Sequence, residues 1–296
     1  MPEGHAIRRL ALAFDASFVG EQCELSSPQG RFAAGAAQLD RWWMSAAQTK
    51  GKHLFLGFGP EPGETEEWIH VHLGLYGGWR FAGKSEVGTA LSPQRLDPDP
   101  GILPATPSEH WPPEPRGAVR LRILTAESLA DLIGPNRCQL VTAEEMAGIE
   151  ARLGPDPLAD DALSEPVRQD FVARVRKSSR PVGELVMDQS VSAGVGNIYR
   201  AEALFRTGIN PYRAGTRVSA ARLGALWDDF VVLMRRGVIE GAINTVEPDE
   251  AQDWDPEAER WYVYHRTGRP CLRCGTSIRQ AELKGRALFW CPQCQR

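Results

Sequence analysis

Apolar and polar residues alternate with different periods along the chain, which divides it into a β-rich first half and a helical second half. Ile7, Leu10 and Phe14 follow the spacing of an amphipathic helix that begins just after the N-terminus. Three apolar runs bounded by Gly- and Pro-bearing segments predict β-strands, and they cover residues 52–58, 68–73 and 119–124. Helical spacing returns at Leu223, Leu226, Phe230 and Leu233. The pattern therefore predicts largely antiparallel β-structure followed by helices.

Two changes in this pattern predict domain boundaries. The β character ends near residues 154–157, and the module after residues 266–270 is too short to hold a hydrophobic core alone. We therefore expect three domains, which cover residues 2–150, 151–262 and 263–296. Eight of the 23 residues in segment 93–115 are proline, which argues against a helix or a central strand and predicts an extended surface loop.

Composition narrows the setting in which the protein works. The 296 residues are 42% hydrophobic and 24% charged, which is ordinary for a protein in water. Because no secretory leader pattern and no run of about 18 apolar residues is present, we expect a cytoplasmic protein that does not enter a membrane. The net charge of −4 hides an asymmetry, since residues 260–296 contain eight Lys and Arg against one acid, a balance of +7. That module is suited to a polyanion such as DNA or RNA.

Four of the six cysteines have the spacing of a metal site. Two C-x2-C pairs are separated by 16 residues, and they comprise Cys271, Cys274, Cys291 and Cys294. This spacing is typical of one Zn²⁺ held by four thiolates, with residues 277–290 forming a hairpin between the pairs. We predict a structural zinc ion that replaces the missing core, with two disulfides or four unused thiols as the alternatives. The other two cysteines, Cys23 and Cys138, are interpreted as small buried hydrophobic residues.

Four separated segments carry a family resemblance, and they cover residues 2–4, 51–55, 188–199 and 285–294. In this order they resemble the formamidopyrimidine-DNA glycosylase / endonuclease VIII family, and within it an endonuclease VIII-like branch of actinobacterial type. The resemblance implies an α+β multidomain fold, with an N-terminal antiparallel β-sandwich and flanking helices, a helix–two-turn–helix domain and a C-terminal zinc-finger β-hairpin. It also implies base excision repair by a monomer on double-stranded DNA that contains an oxidised base or an abasic site. Such a protein would be nucleoid-associated when it is bound to DNA.

The resemblance assigns the chemistry to four residues. Cleavage through a Schiff base needs an unprotonated amine, and Pro2 supplies a secondary amine once Met1 is removed. A helix that begins here would favour the neutral amine, because the positive end of its dipole disfavours an ammonium ion. Glu3 would protonate the sugar ring oxygen, Lys52 would serve in β-elimination, and Arg286 would serve in δ-elimination and hold phosphates. The alternatives are a helix-start proline, a helix-start anion and a solvated strand-edge lysine.

Other residues are candidates for contacts with the DNA backbone. Asn197 follows a glycine-bearing segment and precedes an amphipathic pattern, so we predict that it is the N-cap of a helix. By resemblance it also contacts the DNA backbone at the lesion. Lys177 belongs to a basic run with Arg174, Arg176 and Arg180 that would add non-specific contacts. A solvated helix face is the alternative interpretation of that run.

Two positions bear on the substrate. Enzymes that flip a base out of the duplex commonly fill the gap with side chains. Leu75 and Tyr76 resemble the gap-filling pair of the endonuclease VIII branch, with core packing as the alternative. In residues 134–138, which correspond to a loop of the guanine-directed branch, Arg137 is present and the phenylalanine of that branch is absent. We therefore expect oxidised pyrimidines as substrates, with an 8-oxoguanine- or formamidopyrimidine-directed glycosylase as the alternative.

Two other functions compete with the enzymatic one. A non-catalytic protein that binds damaged DNA would keep the helical domain and the zinc finger, and a zinc-dependent RNA-binding protein would keep the basic module. Intact Pro2, Glu3 and Lys52 favour the enzyme. His70 and His72 share one face of a predicted strand, but with no third ligand nearby we interpret them as structural rather than as a metal pair.

Overall fold

The computed structural model describes residues 2–83, 102–103, 110–247 and 260–296. The chain divides into two compact units, residues 1–152 and residues 153–296. Most of segment 93–115, where a surface loop is predicted, lies outside the described residues. Among the helices that the structure describes, none is long and apolar enough to cross a bilayer.

Helices and short strands make up the first unit, in the order α1 (Gly4–Ser17), β1 (Glu24–Ser26), α2 (Ala33–Leu39), β2 (Trp43–Lys50), β3 (His53–Gly59), β4 (Glu67–His72), β5 (Gly78–Gly83), β6 (Ile102–Leu103), β7 (Val119–Leu124), β8 (Ser128–Ile133), β9 (Arg137–Val141) and α3 (Ala143–Glu150). One sheet has the order β2, β3, β4, β9, and the other has the order β1, β7, β8, β5, β6. The pairings are antiparallel except that of β5 with β6. The predicted N-terminal helix, the three predicted strands and the antiparallel β-sandwich are therefore confirmed.

Side chains from both sheets and from α1 bury one core between the sheets. Leu54 and Phe58 of β3 point into it, and Trp79 of β5 meets them from the other sheet. Burial of each such side chain stabilises the fold by about 1.5 to 3 kcal/mol. The opposite face of the four-stranded sheet carries Phe55 and Trp68, which pack against α3. Successive side chains of a strand point to opposite faces of its sheet, and here one face packs in the sandwich core and the other against α3.

Helices followed by a hairpin make up the second unit, in the order α4 (Glu165–Arg176), α5 (Val182–Leu185), α6 (Asn197–Arg206), a 3-10 turn (Gly215–Arg217), α7 (Ala220–Glu240), β10 (Arg279–Leu283) and β11 (Arg286–Trp290). The long helix α7 includes the predicted helical stretch and buries it around Trp227. Ser219 caps its first turn by accepting a hydrogen bond from the Arg222 amide. Gly241 ends it in the left-handed conformation, at φ +67°.

A two-residue turn joins β10 and β11. Leu283 and Arg286 form the last cross-strand pair, and between them Lys284 and Gly285 have φ values of +51° and +70°. Two successive positive φ values define a type I′ turn, whose twist matches that of the strands and which favours glycine. The hairpin predicted between the cysteine pairs is confirmed, and Arg286 directly follows its turn.

Candidate functional site

Pro2 and Glu3 precede the first turn of α1, and both are buried. Glu3 is the N-cap residue, with an extended backbone, and its carbonyl accepts a hydrogen bond of 3.0 Å from the Ala6 amide. Its side chain makes no capping hydrogen bond.

Lys52 lies in the two-residue turn between β2 and β3. Lys50 and His53 pair on either side of the turn, and Gly51 occupies its first position at φ +60°. A glycine there with positive φ is typical of a type II′ turn. Only 7% of Lys52 is exposed, which excludes the alternative of a solvated strand-edge lysine.

The attachment of α1 to the first sheet bears on the direction of its first turn. The Gly20 amide, just after α1, donates to the Met44 carbonyl at the start of β2, at 2.8 Å. From that attachment α1 packs along β2 and β3. Because the end of α1 lies at the start of β2 and the helix contacts β2 and β3, we infer that its first turn points toward the β2–β3 turn that carries Lys52.

The loop of residues 73–77 follows β4 and exposes the two predicted gap-filling side chains. Leu75 is 48% exposed and Tyr76 is 89% exposed, so core packing is not their role. The backbone beneath them is tightly packed, since a Cβ on Gly77 would lie 2.4 Å from the carbonyl oxygen of Leu73. A constrained backbone therefore presents two large side chains to solvent.

Arg137 lies beside this loop. Residues 134–136 pack against it, and the Asn136 amide donates to the Leu73 carbonyl at 3.3 Å. Arg137 begins β9 directly opposite His72, the last residue of β4, and is exposed. The structure therefore brings Arg137 to the end of the sheet that also carries the exposed loop and the Lys52 turn.

Three histidines share the face of this sheet that is turned away from the sandwich core. Nδ1 of His53 lies 2.8 Å from Nε2 of His70, and the ring centre of His53 is 5.0 Å from those of both His70 and His72. Burial lowers the pKa of His53 to about 3 and that of His70 to about 4, and nearby positive charge, including that of Arg137, acts in the same direction. Burial and the Lys52 ammonium also lower the pKa of His72. All three rings are therefore neutral at pH 7.

Sequence reasoning missed His53. It joins the other two histidines only when β3 and β4 pair in the observed register. In that register Phe55 lies opposite His70, and His53 lies on the same face of β3, two residues before Phe55. In the part of the chain that the structure describes, the group of three or more residues able to hold a metal is the cysteine set, not the histidines. Nearby Lys52 and Arg137 also disfavour a bound cation and suit an anion.

The four predicted zinc ligands converge in the C-terminal module. Their Sγ atoms all lie within 4.8 Å of one another, with Cys271 3.9 Å from Cys294 and Cys274 3.5 Å from Cys291. Tetrahedral zinc with Zn–S bonds of about 2.3 Å requires S–S separations of about 3.8 Å. A hydrogen bond from the Thr276 side chain lowers the pKa of Cys274 to about 6, whereas burial raises the pKa of Cys271 and that of Cys294. The four residues therefore fit one structural zinc ion.

Cys23 and Cys138 take no part in this site. Both are free thiols in the first unit. Burial raises the pKa of each to about 12, so neither is a reactive thiolate near neutral pH. Cys23 is buried in the core of the β-sandwich, as the sequence predicts, whereas Cys138 is partly buried and packs against that core.

One carboxylate of α6 holds the segment that leads into the zinc module. Glu202 is fully buried and accepts hydrogen bonds from the Thr245 hydroxyl and from the amides of Tyr262, Val263 and Tyr264. Burial raises its pKa, and these four donors act in the opposite direction. The contacts fix the chain just before the first zinc ligand.

Two further side chains of α6 hold the hairpin. Nδ2 of Asn197 donates to the Ala287 carbonyl at 2.9 Å, and the buried Arg200 donates to the same carbonyl at 2.8 Å and to Asn197 Oδ1. The prediction that Asn197 is the N-cap is wrong, because Gly196 occupies that position and the Asn197 side chain is used on the distant strand. Arg286 is exposed and precedes Ala287. Asn197 and Arg200 therefore position the strand that carries Arg286.

The basic run near the end of α4 divides into two groups. Arg174 pairs with an aspartate one turn earlier, and Arg180 pairs with two acids that follow it. Arg176 and Lys177 are exposed and make no ion pair with any residue that the structure describes. Of the four, Arg176 and Lys177 are thus the residues whose charge is available to a ligand.

Comparison with known proteins agrees with the helical domain and the cysteine-bearing module described above. A family model of the formamidopyrimidine-DNA glycosylase H2TH domain matches residues 153–248, and a model of a zinc finger found in FPG and IleRS matches residues 268–296. Endonuclease 8 1 of Mycobacterium tuberculosis is 42% identical over 298 residues, which cover 100% of both chains. The chain belongs to the formamidopyrimidine-DNA glycosylase / endonuclease VIII family. Endonuclease 8 of Escherichia coli is 28% identical over 301 residues, again 100% of both chains.

Other relatives and the solved structures agree with this family membership. The formamidopyrimidine-DNA glycosylase of Parasynechococcus marenigrum is 40% identical over 149 residues, 49% of this chain and 51% of its own. A complex between Lactococcus lactis Fpg and DNA containing an abasic site has a TM-score of 0.73 at 18% identity, over 99% of both chains. At that identity the likeness shows the fold, a β-sandwich with a helix–two-turn–helix domain and a zinc finger. The family of DNA-repair glycosylases indicated by the sequence is confirmed.

Proposed function

We propose that this protein is a bifunctional glycosylase and abasic-site lyase of base excision repair, which removes oxidised bases and cuts the strand at the resulting abasic sugar. The observation that carries the proposal is the buried start of α1, where Pro2 and Glu3 are directed toward the end of the sheet that carries buried Lys52. These residues supply an amine nucleophile, a proton donor and a cation. Full-length similarity to proteins named endonuclease 8 supports the same function.

The first half of the reaction forms a covalent intermediate. Removal of Met1 exposes the secondary amine of Pro2, and a terminal amine ordinarily has a pKa of about 8. The positive end of the α1 dipole disfavours the ammonium form, so neutral amine is present at pH 7. The nitrogen attacks C1′ of the damaged nucleotide and loses its proton, while Glu3 protonates the ring oxygen and opens the ring. The base leaves with the electrons of the glycosidic bond and takes up a proton, which leaves an iminium between Pro2 and C1′.

The second half cuts the strand. The iminium acidifies the C2′ proton, and its loss expels the 3′ phosphate by β-elimination. A second proton loss along the conjugated sugar expels the 5′ phosphate by δ-elimination, and water then releases the sugar and restores the Pro2 amine. We assign Lys52 to the first elimination and Arg286 to the second, because each cation can stabilise a departing phosphate.

Contacts with the intact backbone hold the DNA during this sequence. We assign them to Asn197, Lys177 and Arg137. Arg137 lies opposite His72, whose pKa is lowered by the positive charges of Lys52 and Arg137. Bound zinc would supply structure rather than a reaction step, since all four of its ligands are cysteines. By closing the module it would hold the hairpin on which Arg286 is carried.

The substrate proposal rests on the exposed loop of residues 73–77. A flipped base leaves a gap in the duplex, and the side chains of Leu75 and Tyr76 project from a tightly packed backbone and can fill it. By the endonuclease VIII-like pattern of this pair we propose oxidised pyrimidines as substrates. A panel of single-lesion duplexes containing thymine glycol, dihydrouracil or 8-oxoguanine tests this. Faster excision of 8-oxoguanine would contradict the base preference and leave the chemistry intact.

Borohydride trapping tests the chemistry. Mature protein mixed with a duplex that contains one abasic site should give a covalent protein–DNA adduct after reduction, because borohydride converts the iminium to a stable amine. A short peptide fused to the N-terminus removes the secondary amine of Pro2 and should abolish the adduct while DNA binding persists. The same peptide fused to the C-terminus is the matched control.

Two results would overturn the enzymatic proposal. If the mature protein binds the abasic duplex and gives no adduct, the non-catalytic DNA-binding alternative is correct. If the N-terminal fusion still gives an adduct, a different amine is the nucleophile and the assignment to Pro2 is wrong.

A further inference from the structure

A concave surface of the second unit has positive charge that the proposed reaction does not use. It is lined by Asn210, Tyr212, Arg213, Ala214 and Arg217. Neither arginine side chain makes an ion pair or a hydrogen bond with any residue that the structure describes. Two uncompensated guanidinium groups on one concave surface favour an anionic ligand.

The backbone that carries these residues is fixed by its neighbours. The Val182 amide donates to the Arg213 carbonyl at 2.8 Å, and the Gly215 amide donates to the Arg180 carbonyl at 3.0 Å. Close packing adds to this constraint, since a Cβ on Gly215 would lie 2.3 Å from the carbonyl oxygen of Val175. The loop is therefore held in one conformation before any ligand binds, which reduces the entropy lost on binding.

An aromatic ring lies beside the two cations. Tyr212 is 43% exposed, and its ring meets Trp290 edge to face, with 5.3 Å between ring centres. Trp290 ends β11, the strand whose first residue is Arg286. The concave surface thus adjoins the hairpin assigned to DNA, and it combines cations with an exposed ring as nucleic-acid surfaces do.

Two acids lie in and just after the neighbouring helix α5, and they do not neutralise this surface. Arg180 holds both of them, with its Nε 2.7 Å from Glu184 and its Nη1 3.1 Å from Asp188. On the other side, the 3-10 turn donates a backbone hydrogen bond of 3.0 Å to residue 178, next to the exposed Lys177. The concave surface is therefore continuous with a region that already carries positive charge.

We infer that this concave surface binds a backbone phosphate of double-stranded DNA through Arg213 and Arg217, as a contact additional to those assigned above. The guanidinium fork matches the geometry of phosphate oxygens, and a position between Lys177 and the hairpin suits a continuous phosphodiester chain. The inference rests on the proposed function, because it requires that DNA is the ligand of this unit.

The salt dependence of DNA binding tests the inference. Affinity for a duplex with a tetrahydrofuran abasic analogue is measured from 50 to 300 mM KCl for the wild type, R213A/R217A and R213K/R217K. Each lost phosphate contact should make the slope of log K against log salt shallower by about 0.9. R213A/R217A should show this change, and R213K/R217K should keep a slope close to that of the wild type because its charge is retained.

The matched control is R31A/R116A, which removes the same charge from two exposed arginines of the first unit. Unchanged melting temperature and zinc content would show that each variant is folded. The inference is overturned if R213A/R217A keeps the wild-type slope, or if the control pair changes the slope equally, since the effect is then one of net charge. Borohydride trapping with the wild type separates a failure of this contact from a failure of the proposed function. If the wild type gives an adduct and R213A/R217A keeps the wild-type slope, only this contact is refuted. If the wild type does not bind the duplex or gives no adduct, the proposed function is refuted.

Discussion

Lowering the pH from 7 to 5 should destabilise the β-sandwich through its buried histidines. The pKa of His53, at about 3, and that of His70, at about 4, lie below the value of 6.5 expected in the unfolded chain. Between these values the unfolded chain binds protons that the folded state excludes. The free energy of unfolding is therefore highest above pH 6.5 and falls as the pH drops toward 4.

The size of the effect follows from the same values. For His70, which is 1% exposed, a folded pKa of about 4 corresponds to a loss of about 2 kcal/mol between pH 7 and pH 5. His53 adds a similar loss, because its ring also stays neutral in the folded state at pH 5. For the two rings together we expect a loss of about 3 to 4 kcal/mol.

Urea unfolding at pH 7 and pH 5, followed by hydrogen exchange of peptides from β3 and β4, measures this loss in the β-sandwich itself. The variant H70Q keeps hydrogen-bonding capacity but takes up no proton, so its pH 7 to pH 5 loss should be smaller than that of the wild type by about 2 kcal/mol. The exposed His110 supplies the control H110Q, which should behave as the wild type does. Equal losses in H70Q and the wild type would refute the reasoning.

The zinc site, one buried ion pair and one loop glycine supply further tests. C291S should lose one equivalent of zinc and DNA affinity together, whereas the control C23S should keep both. Metal analysis measures the zinc content and gel shifts measure the affinity; full affinity of C291S without metal would contradict the prediction. Buried Arg122 pairs with Asp131 at 2.8 Å, and D131N removes that carboxylate while leaving the arginine buried. This variant should lower the free energy of unfolding by about 3 kcal/mol, and an unchanged melting curve would disprove it. G77A places a Cβ 2.4 Å from a loop carbonyl, so it should weaken binding to abasic duplex at constant zinc content; wild-type affinity would show that the loop is not used.

Local pattern predicts much of this fold because its causes are local. The apolar spacing of α1 and α7, the apolar run of β3 and the spacing of the zinc cysteines each depend on residues within one or two turns or one hairpin. The zinc hairpin follows in the same way, because its two C-x2-C pairs delimit it. Lys284 and Gly285 then close it with the positive φ values that a tight turn requires.

The parts that sequence reasoning missed depend on distant partners. Asn197 has the composition of an N-cap, yet its side chain bonds to Ala287, 90 residues away. Arg200 gives no signal in sequence, because a buried arginine in a helix is recognisable only by the carbonyl that it satisfies. His53 joins a cluster only through strand register.

The same distant contacts explain how a module with little core of its own can hold the side chain that we propose for the second elimination, Arg286. Zinc would close the module, but it cannot set the module's position on the helical domain. That position is set by α6, through Glu202 before the zinc ligands and through Asn197 and Arg200 at the hairpin. Because Asn197 and Arg200 share the Ala287 carbonyl, a DNA phosphate that draws Asn197 away would leave Arg200 to hold the strand. Arg286 would then keep its position while Asn197 changes partners, as the proposed role of Arg286 in the second elimination requires.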